Sequence, residues 1–126
     1  MTEINTSWNL ANIDHSWVKR NQDQIQSHEA WNEKLLEKDA ENIMKDKEPY
    51  TFILRKGENK NSYFISYVKE DLSIKHQGFV LELNRKGWFY RNGVTSGLAE
   101  ILETDLYKLI PQMMHCDQSA CKPLAS

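Results

Sequence analysis

The sequence lacks the long apolar segments that a membrane protein needs. No run of about 18 apolar residues occurs in the 126-residue chain, so the sequence predicts no membrane-spanning helix. The stretch Met1–Leu10 is polar apart from one tryptophan and lacks the basic and then apolar pattern of a secretory signal. We therefore expect a protein that folds in a cytoplasm and uses another route for any export.

Cysteine is also scarce. The chain has two cysteines, Cys116 and Cys121, which form a His-Cys-x4-Cys pattern with His115. No fourth residue nearby has a spacing typical of zinc sites. We therefore expect two reduced thiols, no metal centre and no other cofactor.

The residue types that mark a catalytic site do not stand out either. We find no clear nucleophile–base pair, carboxylate pair or metal set in the sequence. Ser66 and His76 could form a pair, but the sequence suggests no acid that would orient the histidine. The sequence therefore predicts that the protein is not an enzyme.

Charge is small overall but unevenly distributed. The net charge is −2, and 40% of the residues are hydrophobic, which favours a packed core over disorder. Met1–Pro49 carries −4, Tyr50–Arg91 carries +4 and Asn92–Ser126 carries −2. The basic middle segment would attract an anionic ligand, but it is too small to indicate binding of duplex nucleic acid.

Hydrophobic periodicity predicts a helix before and a helix after a group of strands. The first covers Ser27–Lys47, with Ser27 as its cap; its apolar stripe is Ala30, Trp31, Leu35, Leu36, Ala40, Ile43 and Met44. Thr95 or Ser96 would cap the second, and Pro111 would end or kink it. Its stripe is Leu98, Ile101, Leu102, Leu106, Leu109 and Ile110.

The predicted strands are Tyr50–Arg55, Tyr63–Lys69, Phe79–Leu83 with Ile74–Gln77 leading into it, and Trp88–Tyr90. Polar turns separate them, which is typical of an antiparallel meander. We expect an α+β fold with a central antiparallel sheet flanked by two helices. Residues 1–27 would form a loosely docked N-terminal extension, residues 28–115 the domain and residues 116–126 an irregular tail.

Arg55 ends the apolar strand Phe52-Ile53-Leu54-Arg55. Both faces of this strand are apolar up to Arg55, so we expect a central strand and a buried or nearly buried guanidinium. Arginine cannot release its charge to suit an apolar site. Its partner is therefore either a buried acid of this chain or the anion of a ligand.

The turn after Arg55 favours the ligand. Lys56-Gly57-Glu58-Asn59-Lys60-Asn61-Ser62 is short, polar and rich in donors. Successive backbone amides in such a turn can form an anion-binding nest. A buried arginine beside this loop predicts a phosphate site.

Taken in order, six motifs resemble those of the SH2 domain, the phosphotyrosine-binding module. They are Glu37–Met44 for its first helix, Phe52–Arg55 for its Phe-Leu-Val-Arg strand, Tyr63–Ser66, Ile74–His76, Gly87–Tyr90, and Leu98–Leu102 for its Leu-x-Glu-Leu-Val helix. The match covers about residues 31–110. The single-module length and the composition rich in Asn and Lys also look like SH2 domains in effectors of intracellular bacteria.

The resemblance implies a non-catalytic module, expected to be a monomer, that binds tyrosine-phosphorylated proteins and neither nucleic acid nor the membrane interior. Such an effector would meet these partners in a host cytoplasm. Arg55 would grip the phosphate and His76 would line the same pocket. The implied phosphate site consists of Arg55, Lys56, Gly57, Glu58, Asn59, His76 and Lys38.

The chain departs from the family pattern around the phosphate. The family's second arginine aligns with Glu37 if Ala40-Glu41 sets the alignment, and with Lys38 if Trp31 does. Gly57 stands where a serine often contacts phosphate, Gly78 replaces a lysine, and Phe64 replaces a small residue.

The rest of the peptide would cross the edge of the third strand near Lys75, Gln77 and Tyr90. Because Gln77 replaces an aromatic residue that often selects hydrophobic partners, we expect broad sequence selectivity.

Two alternative functions stay open. One is a single-stranded nucleic-acid binder that uses Tyr and Phe for stacking, and the other is an SH2-like scaffold without phosphate binding.

Overall fold

The computed structural model describes residues 16–83, 86–92 and 99–125. The fold is α+β, as expected from the sequence. Its helices are α1 (residues 16–26), α2 (Glu37–Met44) and α3 (Leu106–Met114). Its strands are β1 (Thr51–Lys56), β2 (Ser62–Val68), β3 (Ile74–Glu82), β4 (Gly87–Asn92), β5 (Ala99–Glu103) and β6 (Lys122–Pro123), with a 3-10 turn at Gln118–Ala120.

All described strands belong to one sheet, in the order β5-β4-β3-β2-β1-β6. Strands β1 to β4 form an antiparallel meander, as predicted. Strand β5, which was not predicted, pairs antiparallel with β4, and β6 pairs in parallel with β1. The sheet is therefore mixed. None of the helices in the described ranges combines the length and apolar character that a bilayer crossing requires.

Strand β1 is covered on both faces. Phe52 and Leu54 belong to the larger core, which also contains buried side chains of α1 and α3. Ile53 belongs to a smaller core with Ala40 and Met44 of α2. Because alternate residues of a strand point to opposite faces, Arg55 lies on the α2 face with Ile53.

The predicted helix Ser27–Lys47 is wrong in its first half. Helix α2 begins only at Glu37, and the chain before it is extended along the edge of β1. There Leu54 N donates to Ala30 O at 2.9 Å, and Asn32 N donates to Leu54 O at 2.8 Å. These bonds satisfy polar groups on β1 that would otherwise be unpaired, and this outweighs the helical pattern of the side chains.

Residues 16–26 are also not loosely docked. They form α1, in which Val18 and Ile25 are buried in the larger core. Ser27 does not begin a helix but follows one, since Ser27 N donates to Asp23 O at 3.0 Å. Residues 1–15 of the expected extension lie outside the described ranges.

The second predicted helix begins too early. Ala99–Glu103 forms β5, which pairs with β4 from Trp88 to Asn92, and the proposed caps Thr95 and Ser96 lie outside the described residues. Asp105 is the cap of α3, where its side chain accepts a hydrogen bond from Tyr107 N at 3.0 Å. Pro111 does not end the helix, which continues to Met114.

The chain after residue 115 is not an irregular tail. Lys122 N donates to Tyr50 O, and Leu124 N donates to Phe52 O, each at 2.9 Å. These bonds attach β6 to the outer edge of β1. Together with the segment that pairs at Leu54, β6 covers the edge of the strand that carries Arg55.

We predict that Ile25→Ala destabilises the protein by at least about 2 kcal/mol, because the isoleucine is 0% exposed in the core. The matched control is Ile43→Ala on α2, where the side chain is 41% exposed and the expected change is under about 0.5 kcal/mol. Urea unfolding measures both. Equal small effects would show that α1 does not contribute to the core.

Candidate functional site

Arg55 is a buried cation at the end of β1. It is 5% exposed, and Ile53 and Leu54 before it are 2% and 0% exposed. Burial of a charge is costly unless the group is paired or hydrogen-bonded. The contacts of this guanidinium therefore decide what the site can bind.

Among the described residues, the guanidinium contacts a serine hydroxyl, a histidine ring and a phenylalanine ring. Arg55 Nε donates to Ser66 Oγ at 2.9 Å, and Arg55 Nη2 lies 3.4 Å from His76 Nδ1. The guanidinium carbon lies 5.1 Å from the centroid of the Phe64 ring. Within the described ranges, no carboxylate lies at ion-pair distance from Arg55. Part of the donor fork therefore remains for an anion.

Burial lowers the pKa of the Arg55 guanidinium, while Glu37 and then Glu41 raise it. These two carboxylates are on α2, and their side chains are 64% and 51% exposed. Water screens their field at that exposure. The acids thus compensate the buried charge only in part, and an anion in direct contact would compensate it better.

A chain of hydrogen bonds extends from Arg55 to the surface. Ser66 Oγ lies 2.7 Å from His76 Nδ1, and His76 Nε2 lies 2.9 Å from Glu41 Oε1. With its proton on Nε2, His76 can accept a hydrogen bond from Ser66 at Nδ1 and donate one to Glu41 from Nε2. Because His76 is held at both nitrogens, it fixes Ser66 as the acceptor for Arg55 Nε.

The structure places an orienting acid beside His76, which the sequence did not suggest. Ser66, His76 and Glu41 superficially resemble a catalytic triad, but Ser66 is 0% exposed and already accepts a bond from Arg55. A nucleophile must reach its substrate, and this hydroxyl is enclosed. The arrangement therefore supports the guanidinium and has no accessible nucleophile.

Arg55 opens into a cleft of ≈ 410 Å³, hereafter the arginine cleft. Its lining combines apolar groups with charges of both signs. The lining residues are Glu33, Leu35, Leu36, Glu37, Arg55, Lys56, Gly57, Glu58 and Phe64. An anion with an apolar body fits such a lining, since the body can contact the leucines and the Phe64 ring.

The loop between β1 and β2 is closed by Ser62. Gly57 N donates to Ser62 O at 2.8 Å, and Asn59 N donates to Ser62 Oγ at 2.9 Å. A Cβ on residue 57 would lie 2.5 Å from Ser62 Oγ, which explains the glycine at this position. These two amides are engaged within the loop and are not available to an anion in this conformation.

The structure brings together part of the predicted phosphate site. Arg55, Lys56, Gly57 and Glu58 line the arginine cleft, and His76 contacts Arg55 from β3. Asn59 and Lys38 do not line it. On α2, the residue that faces the cleft is Glu37, and Lys38 is exposed.

A second groove of ≈ 540 Å³ adjoins the arginine cleft and shares Glu58 and Phe64 with it. Of the predicted peptide contacts, Gln77 and Tyr90 line this groove, and Lys75 does not. The other lining residues are Asn59, Ser62, Tyr63, Gly78, Phe79, Val80 and Phe89. Two neighbouring cavities therefore meet at the side chain of Phe64.

Glu37, Glu41 and Leu36 were not predicted as site residues, but the structure places them at the site. Glu37 and Glu41 are four residues apart, a spacing that places two side chains on one side of a helix. The strand register places Ser66 opposite Ile53 and His76 opposite Ser66. The helix spacing was visible in the sequence, but the approach of α2 to His76 depends on tertiary packing.

Cys116 and Cys121 are not part of this site. Their sulfur atoms lie 3.6 Å apart, and both residues pack against the larger core. Burial raises the pKa of both thiols, that of Cys121 to about 12. Among the described residues, no group of three His, Cys, Asp or Glu side chains is placed to hold a metal ion.

Comparison of the chain with protein-family models and with curated proteins finds no match in either.

We predict that Ser66→Ala destabilises the protein by about 1–3 kcal/mol, because Arg55 Nε loses its acceptor in a buried site. Chemical unfolding of the two forms measures the difference. Ser119→Ala in the exposed 3-10 turn is the control and should have little effect. If the two variants unfolded alike, the hydrogen bond between Ser66 and Arg55 would not contribute to stability.

Proposed function

We propose that the chain is a phosphotyrosine-binding module of the SH2 type that acts without catalysis. The observation that carries the proposal is the buried Arg55 guanidinium, which lines an open cleft and has no carboxylate at ion-pair distance among the described residues. A phosphate monoester would supply the missing anion. Its oxygens accept parallel hydrogen bonds from a guanidinium fork.

The lining of the arginine cleft supports an aromatic phosphate. Leu35, Leu36 and Phe64 provide apolar surface near Arg55, and Leu36 is 70% exposed. The ring of phosphotyrosine can pack against these side chains while its phosphate reaches the buried guanidinium. The shorter side chain of phosphoserine offers neither the ring nor the reach.

Five of the six motifs that resemble SH2 domains lie on the kind of element that the resemblance implies. They fall on α2, β1, β2, β3 and β4. The sixth, Leu98–Leu102, does not, because residues 99–103 form β5 and Leu98 lies outside the described part of the chain. The resemblance therefore supports the proposal through α2 and β1 to β4, and not through the helix that it implies at Leu98–Leu102.

The groove beside the arginine cleft would take the residues that follow the phosphotyrosine. Gln77 and Tyr90 line it, and Gln77 Nε2 donates to Gly78 O at 2.9 Å. Tyr90 is 3% exposed and presents little surface. We propose that the phosphate dominates binding and that the peptide sequence modulates it weakly.

The proposed partners are tyrosine-phosphorylated proteins, met in a cytoplasm. If the chain is an effector of an intracellular bacterium, as its composition suggests, that cytoplasm is the host's, and the module would compete for host phosphotyrosine sites. The protein would act as a monomer. Its action would be reversible, since binding makes no covalent bond.

The two alternatives have less support. Tyr63, Phe79 and Trp88 pack on one another in the core and are 5%, 2% and 0% exposed, so they offer no stacking platform for nucleic-acid bases. A scaffold without phosphate binding would leave part of the buried Arg55 guanidinium without an anionic partner. Neither alternative accounts for the arginine cleft.

The proposal predicts binding of a phosphotyrosine peptide that depends on Arg55. Arg55→Ala should weaken it by at least about 30-fold, or about 2 kcal/mol, through loss of a charge-assisted bidentate contact. Arg55→Lys keeps the charge but loses the fork and should weaken it comparably. Fluorescence anisotropy with phosphotyrosine, unmodified tyrosine and phosphoserine peptides measures this.

The matched control is Arg20→Ala, which removes an exposed arginine of α1 and should bind as the wild type does. Circular dichroism establishes that each variant is folded. Equal affinity for all three peptides, or wild-type affinity in folded Arg55→Lys, would contradict the proposal.

Selectivity across peptide sequences gives a separate prediction. In a panel of phosphotyrosine peptides that differ only after the phosphotyrosine, affinities should span less than about 100-fold, or about 2.7 kcal/mol. A wider range would show that the groove at Gln77 selects its ligands strongly.

A further inference from the structure

The arginine cleft carries more negative than positive groups. Its lining includes the cations Arg55 and Lys56 and the carboxylates Glu33, Glu37 and Glu58, a formal net charge of −1. A site that binds a doubly charged phosphate would be expected to carry an excess of cations. The distribution of charge therefore bears on which ionic form of the ligand is bound.

Among these carboxylates, Glu37 is the one expected to repel a phosphate bound to Arg55 most strongly. It lines the cleft together with Arg55, its Oε1 lies 4.0 Å from His76 Nε2, and its charge acts on Arg55 more strongly than that of Glu41 does. Glu41 instead is engaged by His76 at 2.9 Å. A phosphate held by Arg55 would therefore lie close to the Glu37 carboxylate.

We propose that Glu37 makes the cleft selective for monoanionic ligands: the phosphate group binds with one negative charge, and aryl sulfate esters are accepted at the same place. This inference rests on the proposed function and specifies the ligand class of that site. A monoanionic phosphate keeps an O–H group that can donate to Glu37. A dianion would instead place two more negative charges beside the carboxylate, with no proton between them.

The proton that distinguishes the monoanion from the dianion is carried by the phosphate group of the ligand. The second pKa of a phosphate ester is about 6, so near neutral pH most phosphotyrosine is a dianion. If only the monoanion binds, the apparent affinity falls about tenfold for each pH unit above that value. A sulfate ester carries one negative charge throughout this range, so its affinity should not follow the same curve.

Other charged or titratable groups lie in the arginine cleft or next to Arg55. They are Arg55 and Lys56 from β1, Glu58 from the loop that follows it, Glu33 from the segment before α2, and His76 from β3 with its partner Glu41. Protonation of His76 or of any of these carboxylates would strengthen binding of phosphate and sulfate together. Comparison of the two ligands therefore separates a proton on the ligand from a proton on the protein.

The experiment measures dissociation constants of two peptides that differ only in phosphotyrosine or sulfotyrosine, at pH 6.5 and pH 8.0. For the wild type, the phosphotyrosine constant should rise about 20-fold over this interval, as expected for a group with a pKa of about 6. The sulfotyrosine constant should stay nearly unchanged. Glu37→Gln should remove the pH dependence and tighten phosphotyrosine binding at pH 8.0.

The control is Glu70→Gln, which removes an exposed carboxylate from the turn between β2 and β3 and should keep the wild-type profile. A flat phosphotyrosine profile, a parallel change for sulfotyrosine, or an unchanged profile in Glu37→Gln would overturn the role of Glu37. If phosphotyrosine binding by the wild type is nevertheless observed and is lost in Arg55→Lys, the proposed function stands. Absence of phosphotyrosine binding at both pH values would overturn the proposed function as well.

Discussion

The buried charge of Arg55 is the constraint on which the rest of the site depends. Its guanidinium is 5% exposed, and an arginine cannot become neutral to lower the cost of burial. Ser66 and His76 hold it with hydrogen bonds, and Phe64 contacts its face. These contacts orient the guanidinium without neutralising it, so its positive charge stays available in the cleft.

The sheet around β1 makes this burial possible. Strand β1 pairs with β2 on one edge, and on the other edge with β6 and the segment at Trp31. Helix α2 covers the face that carries Ile53 and brings Glu37 and Glu41 towards Arg55. The same helix that covers this face thus supplies the two carboxylates whose charges act on Arg55.

The sequence predicted β1 to β4 well because their apolar residues are bounded by polar turns, and it identified Arg55 because a cation that ends an apolar strand needs a partner. It failed where backbone pairing overrides side-chain pattern, as at Trp31 and at β5. It also could not show that Ser62 engages the Gly57 and Asn59 amides, because that contact joins residues across a loop whose conformation no local pattern specifies.

The central claim is that Arg55 donates directly to the phosphate of phosphotyrosine. The most direct test follows the Nε–H resonance of Arg55 by NMR in ¹⁵N-labelled protein while O-phosphotyrosine is added, with assignment from Arg55→Lys. The account predicts a saturable shift of this resonance, with smaller shifts at residues of the arginine cleft. An unchanged Arg55 resonance at a ligand concentration that shifts other residues would contradict it.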